Sequence, residues 1–138
     1  MSEADLERLR TIPLFAEVGE SHLERIASSA TPFEVESGYV LAERGQPGSG
    51  MFVILEGTVE VQVPSRDPVP LGPGEFFGEL SLLADMDRVA RVKATSAVRG
   101  LAIGRSEFLE LLHEEPAIAV AMVPVLARRL AAVEAARR

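Results

Sequence analysis

Cysteine and tryptophan are absent from this 138-residue chain, which also has one tyrosine and two histidines. Without cysteine there is neither a disulfide framework nor a thiolate metal site, and a reducing compartment is compatible with the composition. The two histidines, His22 and His113, fall in segments of helical pattern far apart in sequence. That is too little imidazole for a metal cluster on a β-scaffold, and no motif links either ring to a nucleophile such as Ser81. No metal, no cofactor and no enzymatic activity are expected. Excess positive charge is also lacking: the formal net charge is -7. Phosphate neutralisation needs clustered Lys and Arg, so DNA binding by this chain alone is not expected, and the terminal Arg137-Arg138 pair is too small to supply it. The longest apolar run, Ala117 to Ala127, contains Pro124 and has eleven residues, against the roughly 20 needed to cross a bilayer. It is expected in a core or an interface rather than in a membrane. The charged start "MSEADLERLR" has no apolar run behind it, so no secretory signal is read, and a cytoplasmic location is expected.

What is present fits one domain spanning residues 1–138, long enough for a real core. Helices are expected over about 2–30. Leu6 and Leu9 have helical spacing, Pro13 breaks the first helix, and Ser21-His22-Leu23-Glu24 has the form of a capping box opening a second. From about residue 32 to 104 the pattern changes to short runs of Val, Ile, Phe and Tyr punctuated by glycine. In "MFVILEGTVEVQV", Glu56-Gly57 separates two runs and Val59, Val61 and Val63 alternate with polar residues, which predicts a hairpin. "RVARVKATSA" and "VRGLAIG" predict further strands, and no crossover helix intervenes. The fold class is therefore mainly β with flanking helices: an antiparallel jelly roll, the double-stranded β-helix of cupin-like proteins. Over about 106–137 a C-terminal helix pair is expected. Ser106 is the proposed N-cap of its first helix, Pro116 ends that helix, and a long apolar helix kinked at Pro124 follows.

One segment carries chemistry, "GEFFGELSLLADMDRVARVKA" from Gly74 to Ala94. Gly78 permits a tight turn and close approach to backbone N–H groups, and a helical turn over Leu80 to Leu83 would aim donors at an anion. The Glu79 carboxylate only accepts hydrogen bonds, so it suits a ligand hydroxyl rather than a phosphate. Arg88, read as part of a strand, has the planar fork that matches two phosphate oxygens. Together these suit a ribose phosphate. The competing reading is a turn glycine, a solvent-facing Glu79 and an Arg88 paired with Asp85 or Asp87.

The segment resembles the phosphate-binding cassette of the cyclic nucleotide-binding domains found in catabolite activator proteins, protein kinase A and G regulatory regions and gated channels. "IPLFAEVGESHLERIASSATPFEVESGYVLAERGQPGSGMFVILEGTVEV" is similar to the family's N-terminal helices and first strands. The resemblance implies that Glu79 binds the ribose 2'-OH and Arg88 the cyclic phosphate. It also implies that Phe77, Gly78, Leu80 and Ser81 border the sugar and phosphate, with Val89, Ala90 and Arg91 just beyond. The implied ligand is cAMP or cGMP, and the implied partners are a second copy docked through the C-terminal helix and an effector of unknown identity. Two departures stand out. Arg91 occupies the position where the family pattern "RxAT" has threonine, serine or alanine, and strand alternation from Arg88 would turn it outward. Asp85 and Asp87 precede Arg88 where proline is common, and an aspartate within about 4–6 Å would compete with a phosphate for the guanidinium. These departures leave open a degenerate fold that binds no nucleotide and serves as an interaction or dimerisation module.

Overall fold

A computed structural model describes residues 3–136; Ser2 and Arg137, counted above with the terminal helices, lie outside the described residues, as do Met1 and Arg138. The described chain forms two compact units, a β-roll over residues 29–109 and a helical unit built from residues up to 28 and from 110 onward.

Ten strands make up the roll: β1 (Thr31–Val35), β2 (Val40–Ala42), β3 (Pro47–Gly48), β4 (Gly50–Glu56), β5 (Val59–Gln62), β6 (Val69–Leu71), β7 (Phe76–Phe77), β8 (Met86–Asp87), β9 (Arg91–Ala94) and β10 (Val98–Gly104). One sheet has the order β1-β10-β4-β7 and the other β2-β9-β5-β6, while β3 and β8 pair separately. Every pairing is antiparallel, as expected for a jelly roll. Alternation along each strand sends one set of side chains inward. Ile54 and Val98 from one sheet meet Ala42, Val59, Val92 and Ala94 from the other in the core.

The predicted hairpin at Glu56-Gly57 is not one. Strands β4 and β5 lie in different sheets, so Gly57 turns a corner between layers rather than reversing the chain within a layer. Its φ of +90° belongs to the left-handed region, and an added Cβ would strike the Ala97 carbonyl of the adjacent β9–β10 corner. The two corners are laced together: Thr95 N–H donates to Thr58 O at 3.0 Å, and Thr58 N–H to Ser96 Oγ at 3.0 Å. Local turn grammar specified a chain reversal there but not which layer the next strand would join.

The helical unit contains α1 (Glu3–Arg10), a 3-10 turn at Pro13–Phe15, α2 (Glu20–Ser29) and α4 (Pro116–Ala136), with α3 (Arg105–Glu114) entering it from the roll. Helix α2 begins before Ser21, with Leu23 N–H donating to Gly19 O at 2.9 Å, so Ser21 is a helical residue and the expected capping box does not open the helix. Helix α3 likewise starts one residue before the predicted cap Ser106. Pro116 sits at the first position of α4, where its missing N–H costs nothing. That helix continues through Pro124 for 21 residues. By length and composition alone, with a mean hydropathy of 1.6 in its most apolar window, α4 is long and apolar enough to span a membrane, which the eleven-residue run did not suggest. Ile118, Met122 and Val125 form its buried stripe, whereas Val120, Val123, Leu130 and Val133 are exposed.

Candidate functional site

A cavity of about 250 Å³ opens in the roll beside the segment from Phe77 to Ala90. Phe77, Gly78, Glu79, Leu80, Ser81, Arg88, Val89 and Ala90 all line it, as do Ala42, Val61, Met86, Asp87 and Val92. Its wall is divided chemically. Glu79, Ser81, Asp87 and Arg88 are the polar side chains, and the rest is apolar.

Local sequence explains how the polar side is built. Gly78 ends β7 in the left-handed region, with φ +81° and ψ 16°, and the chain tightens into a 3-10 turn over Glu79–Leu82. That turn starts one residue earlier than the helical turn expected from Leu80, so Glu79 belongs to it. Ser81 N–H donates to Gly78 O at 3.0 Å, and the Ser81 side chain is buried. Glu79 Oε2 is likewise shielded from solvent.

Arg88 is not in a strand. It follows the two-residue β8, which pairs with Pro47 and Gly48, and its backbone is fastened to the preceding loop. Arg88 N–H donates to Gln46 O at 2.7 Å and Gly45 N–H to Arg88 O at 2.8 Å. The guanidinium is therefore delivered to one place. Its Nη2 donates to the Gly50 carbonyl at 2.8 Å, and its Nη1 to Ser81 Oγ at 3.3 Å. Burial lowers the Arg88 pKa from its ordinary value, because desolvation disfavours the charged form. Two glycines make room for it. An added Cβ at Gly78 would collide with Nη1, and one at Gly48 would collide with Ser81 Oγ and lie 3.1 Å from Nε.

The two rival salt bridges for Arg88 are answered differently. Asp85 pairs with Arg105, Oδ1 to Nη1 at 3.5 Å, so its partner lies on α3 rather than in the cavity. Asp87 does line the cavity. Of the residues read as bordering the ligand, Arg91 alone is not brought to the cavity; it is exposed and meets Glu43 at 3.5 Å. Alternation from Arg88 is not the reason, since no strand connects them. The cause is the register of β9, where Arg91 sits opposite Gln62 and the next residue, Val92, turns inward. Both histidines lie on helices of the other unit, His22 on α2 and His113 on α3.

Sequence reasoning missed Gly48, the Gly50 carbonyl and Phe52. The guanidinium carbon of Arg88 lies 5.8 Å from the centre of the Phe52 ring. In sequence, Phe52 reads only as a strand residue of the core.

A family model described as "Cyclic nucleotide-binding domain" matches residues 32–115, which include the whole cavity lining. A cyclic nucleotide-gated potassium channel of Mesorhizobium japonicum is 38% identical over 125 residues, covering 90% of this chain and 35% of the channel. A CRP-like cAMP-activated global transcriptional regulator of Mycobacterium tuberculosis is 26% identical over 129 residues, covering 90% of this chain and 58% of the regulator. The chain thus spans about a third of the channel's length. Among solved structures, the N-terminal domain of a transcriptional regulator from Streptomyces coelicolor superposes with a TM-score of 0.86 at 30% identity, covering 95% of both chains. By fold, by the matched segment and by these likenesses, the chain belongs to the cyclic nucleotide-binding domain family.

Proposed function

We propose that the cavity binds a cyclic purine nucleotide, cAMP or cGMP, and that the chain is a regulatory sensor rather than an enzyme. The observation that carries this reading is that Arg88 and Glu79 line one cavity whose remaining lining, Ala42, Val61 and Val92 included, is largely apolar. Arg88 supplies a fixed cation for the cyclic phosphate. Glu79 accepts from the ribose 2'-OH, since an ionised carboxylate can only accept and so suits a hydroxyl donor rather than a phosphate. The base lies against the apolar lining. Binding that orders the segment from Gly78 to Ala90 would favour one arrangement of the C-terminal helices over another, and only this differential affinity can transmit a signal.

A panel of cAMP, cGMP, cyclic dinucleotides and AMP, read by thermal shift and calorimetry, tests the reading. A true ligand at 100 times its dissociation constant stabilises the fold by about 2.7 kcal/mol. Arg88→Ala should abolish the shift. Silence from the whole panel would refute nucleotide binding, and a shift unchanged in Arg88→Ala would refute the site.

A second reading concerns output and rests on α4. Val120, Val123 and Leu130 are each more than 60% exposed, more apolar surface than a solvated helix face normally carries. We infer that this face is covered by a second copy of the chain or by an effector. A cytoplasmic location accords with a nucleotide made inside cells.

A further inference from the structure

Arg88 lies over a ring, that of Phe52, which does not line the cavity. Phe52 lies on β4 on the same sheet face as Ile54, two residues along, so alternation points it into the roll. There it is clamped on two sides. Its ring stacks on Phe77 with centroids 5.0 Å apart and planes inclined by 23°. Phe33 meets it edge-on, at 5.7 Å and 87°. Phe33 belongs to β1, and β10 lies between β1 and β4; the ring crosses that strand at Gly100, where an added Cβ would sit 2.6 Å from Phe33 Cζ. Three rings from three strands therefore form a packed file whose middle member is beneath the guanidinium.

The negative face of an aromatic ring attracts a guanidinium, and more strongly where water is excluded. Arg88 is partly desolvated, its donors are directed by Gly50 O and Ser81 Oγ, and it lines the cavity. We propose that Phe52 is a positioning residue for the anion-binding arginine, holding the Arg88 guanidinium in place before ligand arrives. The inference deepens the proposed function and rests on it only where ligand affinity is read.

The test uses the full chain with phenylalanine at position 52 replaced by 4-fluoro-, 3,5-difluoro- and 3,4,5-trifluorophenylalanine. These rings keep nearly the same shape while the negative potential of the face falls in steps. The first readout needs no ligand: the exchange rate and chemical shift of the Arg88 Nε–H by NMR. Exchange should quicken in the order of fluorination. The second is cAMP affinity by calorimetry, which should fall in the same order to a total loss of about two- to fivefold. The same series at Phe15, buried in the helical unit, should move neither readout. A flat Arg88 exchange rate across the series would overturn the proposal, whatever the affinities do. If the unsubstituted protein binds no cyclic nucleotide, the ligand reading falls alone and Arg88 exchange still decides the role of Phe52.

Discussion

The glycine at position 78 makes the sharpest quantitative prediction. Alanine there must adopt a φ of +81°, and its Cβ must occupy space held by Arg88 Nη1 and lie 2.9 Å from Gly50 O. The left-handed backbone alone costs roughly 1–2 kcal/mol for a residue with a Cβ. Moving the guanidinium aside further removes its hydrogen bonds to Gly50 O and Ser81 Oγ, worth about 1 kcal/mol each or somewhat more with a charged donor. Release into solvent returns part of that. An excess of about 2 kcal/mol over the backbone term is a fair central figure.

Gly38 separates the two costs. Its φ is +93°, yet an added Cβ would find nothing within 4 Å, so Gly38→Ala carries the backbone cost alone. Denaturant unfolding and thermal melts of both variants should therefore differ, with Gly78→Ala melting about 6–10 °C below Gly38→Ala if each kcal/mol moves Tm by about 3–5 °C. Gly38→Ala should leave cAMP affinity unchanged, whereas Gly78→Ala should lower it by about tenfold or more, since each 1.4 kcal/mol is one decade. The double substitution Gly78→Ala with Arg88→Ala supplies the internal check. With no guanidinium to displace, most of the excess should disappear, which is the coupling a double-mutant cycle measures. Equal destabilisation by Gly38→Ala and Gly78→Ala, or an excess that persists without Arg88, would refute the reasoning.

Arg88→Met loses the same two hydrogen bonds, so it should lower ligand-free stability by about 1–2 kcal/mol while abolishing ligand stabilisation, relief of a partly buried charge returning the rest; urea titration with and without cAMP measures both. Asp85→Asn breaks only a surface pair with Arg105, one partner of which is 93% exposed, so it should cost under about 0.5 kcal/mol and leave affinity unaltered. A rise in affinity would mean that Asp85 competes for Arg88 after all. Arg91→Ala should behave likewise, since Arg91 pairs with Glu43 at the surface, and a tenfold affinity loss in calorimetry would place it on the ligand instead. Val123→Asp with Leu130→Asp should convert any dimer to monomer in sedimentation without lowering Tm by more than about 2 °C, because both side chains are exposed.

Much of this site was legible in the sequence because its requirements are local. Gly78, Glu79 and Ser81 lie within one turn, and the glycine there is needed by both the backbone and the space around it. The antiparallel roll was legible from glycine spacing and the lack of crossover helices. Four features depend on which distant segments become neighbours, and these were not legible. Glu56-Gly57 resembles any hairpin turn until β5 is found in the opposite sheet. Phe52 looks like every other apolar residue of β4 until Arg88, 36 positions later, is laid over it. Arg88 reads as a strand residue because it opens the stretch "RVARVKATSA", whereas its backbone is tied to the loop at Gly45 and Gln46. Asp85 reads as one of two candidate partners for Arg88, its near neighbour in sequence, but α3 brings Arg105 to it.

The unequal quality of the two Arg88 hydrogen bonds bears on how an anion would enter. The bond to Gly50 O at 2.8 Å is within the best range for N–H···O, and the bond to Ser81 Oγ at 3.3 Å lies beyond it. A phosphate oxygen offers Nη1 a charge-assisted partner, roughly twice as strong as a neutral one. On the proposed reading, then, ligand takes Nη1 from Ser81 and leaves Nη2 on Gly50. The freed Ser81 hydroxyl, which can donate as well as accept, turns toward the anion. Ser81→Ala should accordingly cost more in the bound state than in the free one. In the free state it removes one long hydrogen bond, while in the bound state it removes a donor from a charged acceptor. Calorimetry of Ser81→Ala should show an affinity loss of about three- to tenfold beside a stability loss below about 1 kcal/mol. The opposite ranking, lower stability with unchanged affinity, would mean that Ser81 holds Arg88 in both states and that Gly50 O is the contact surrendered.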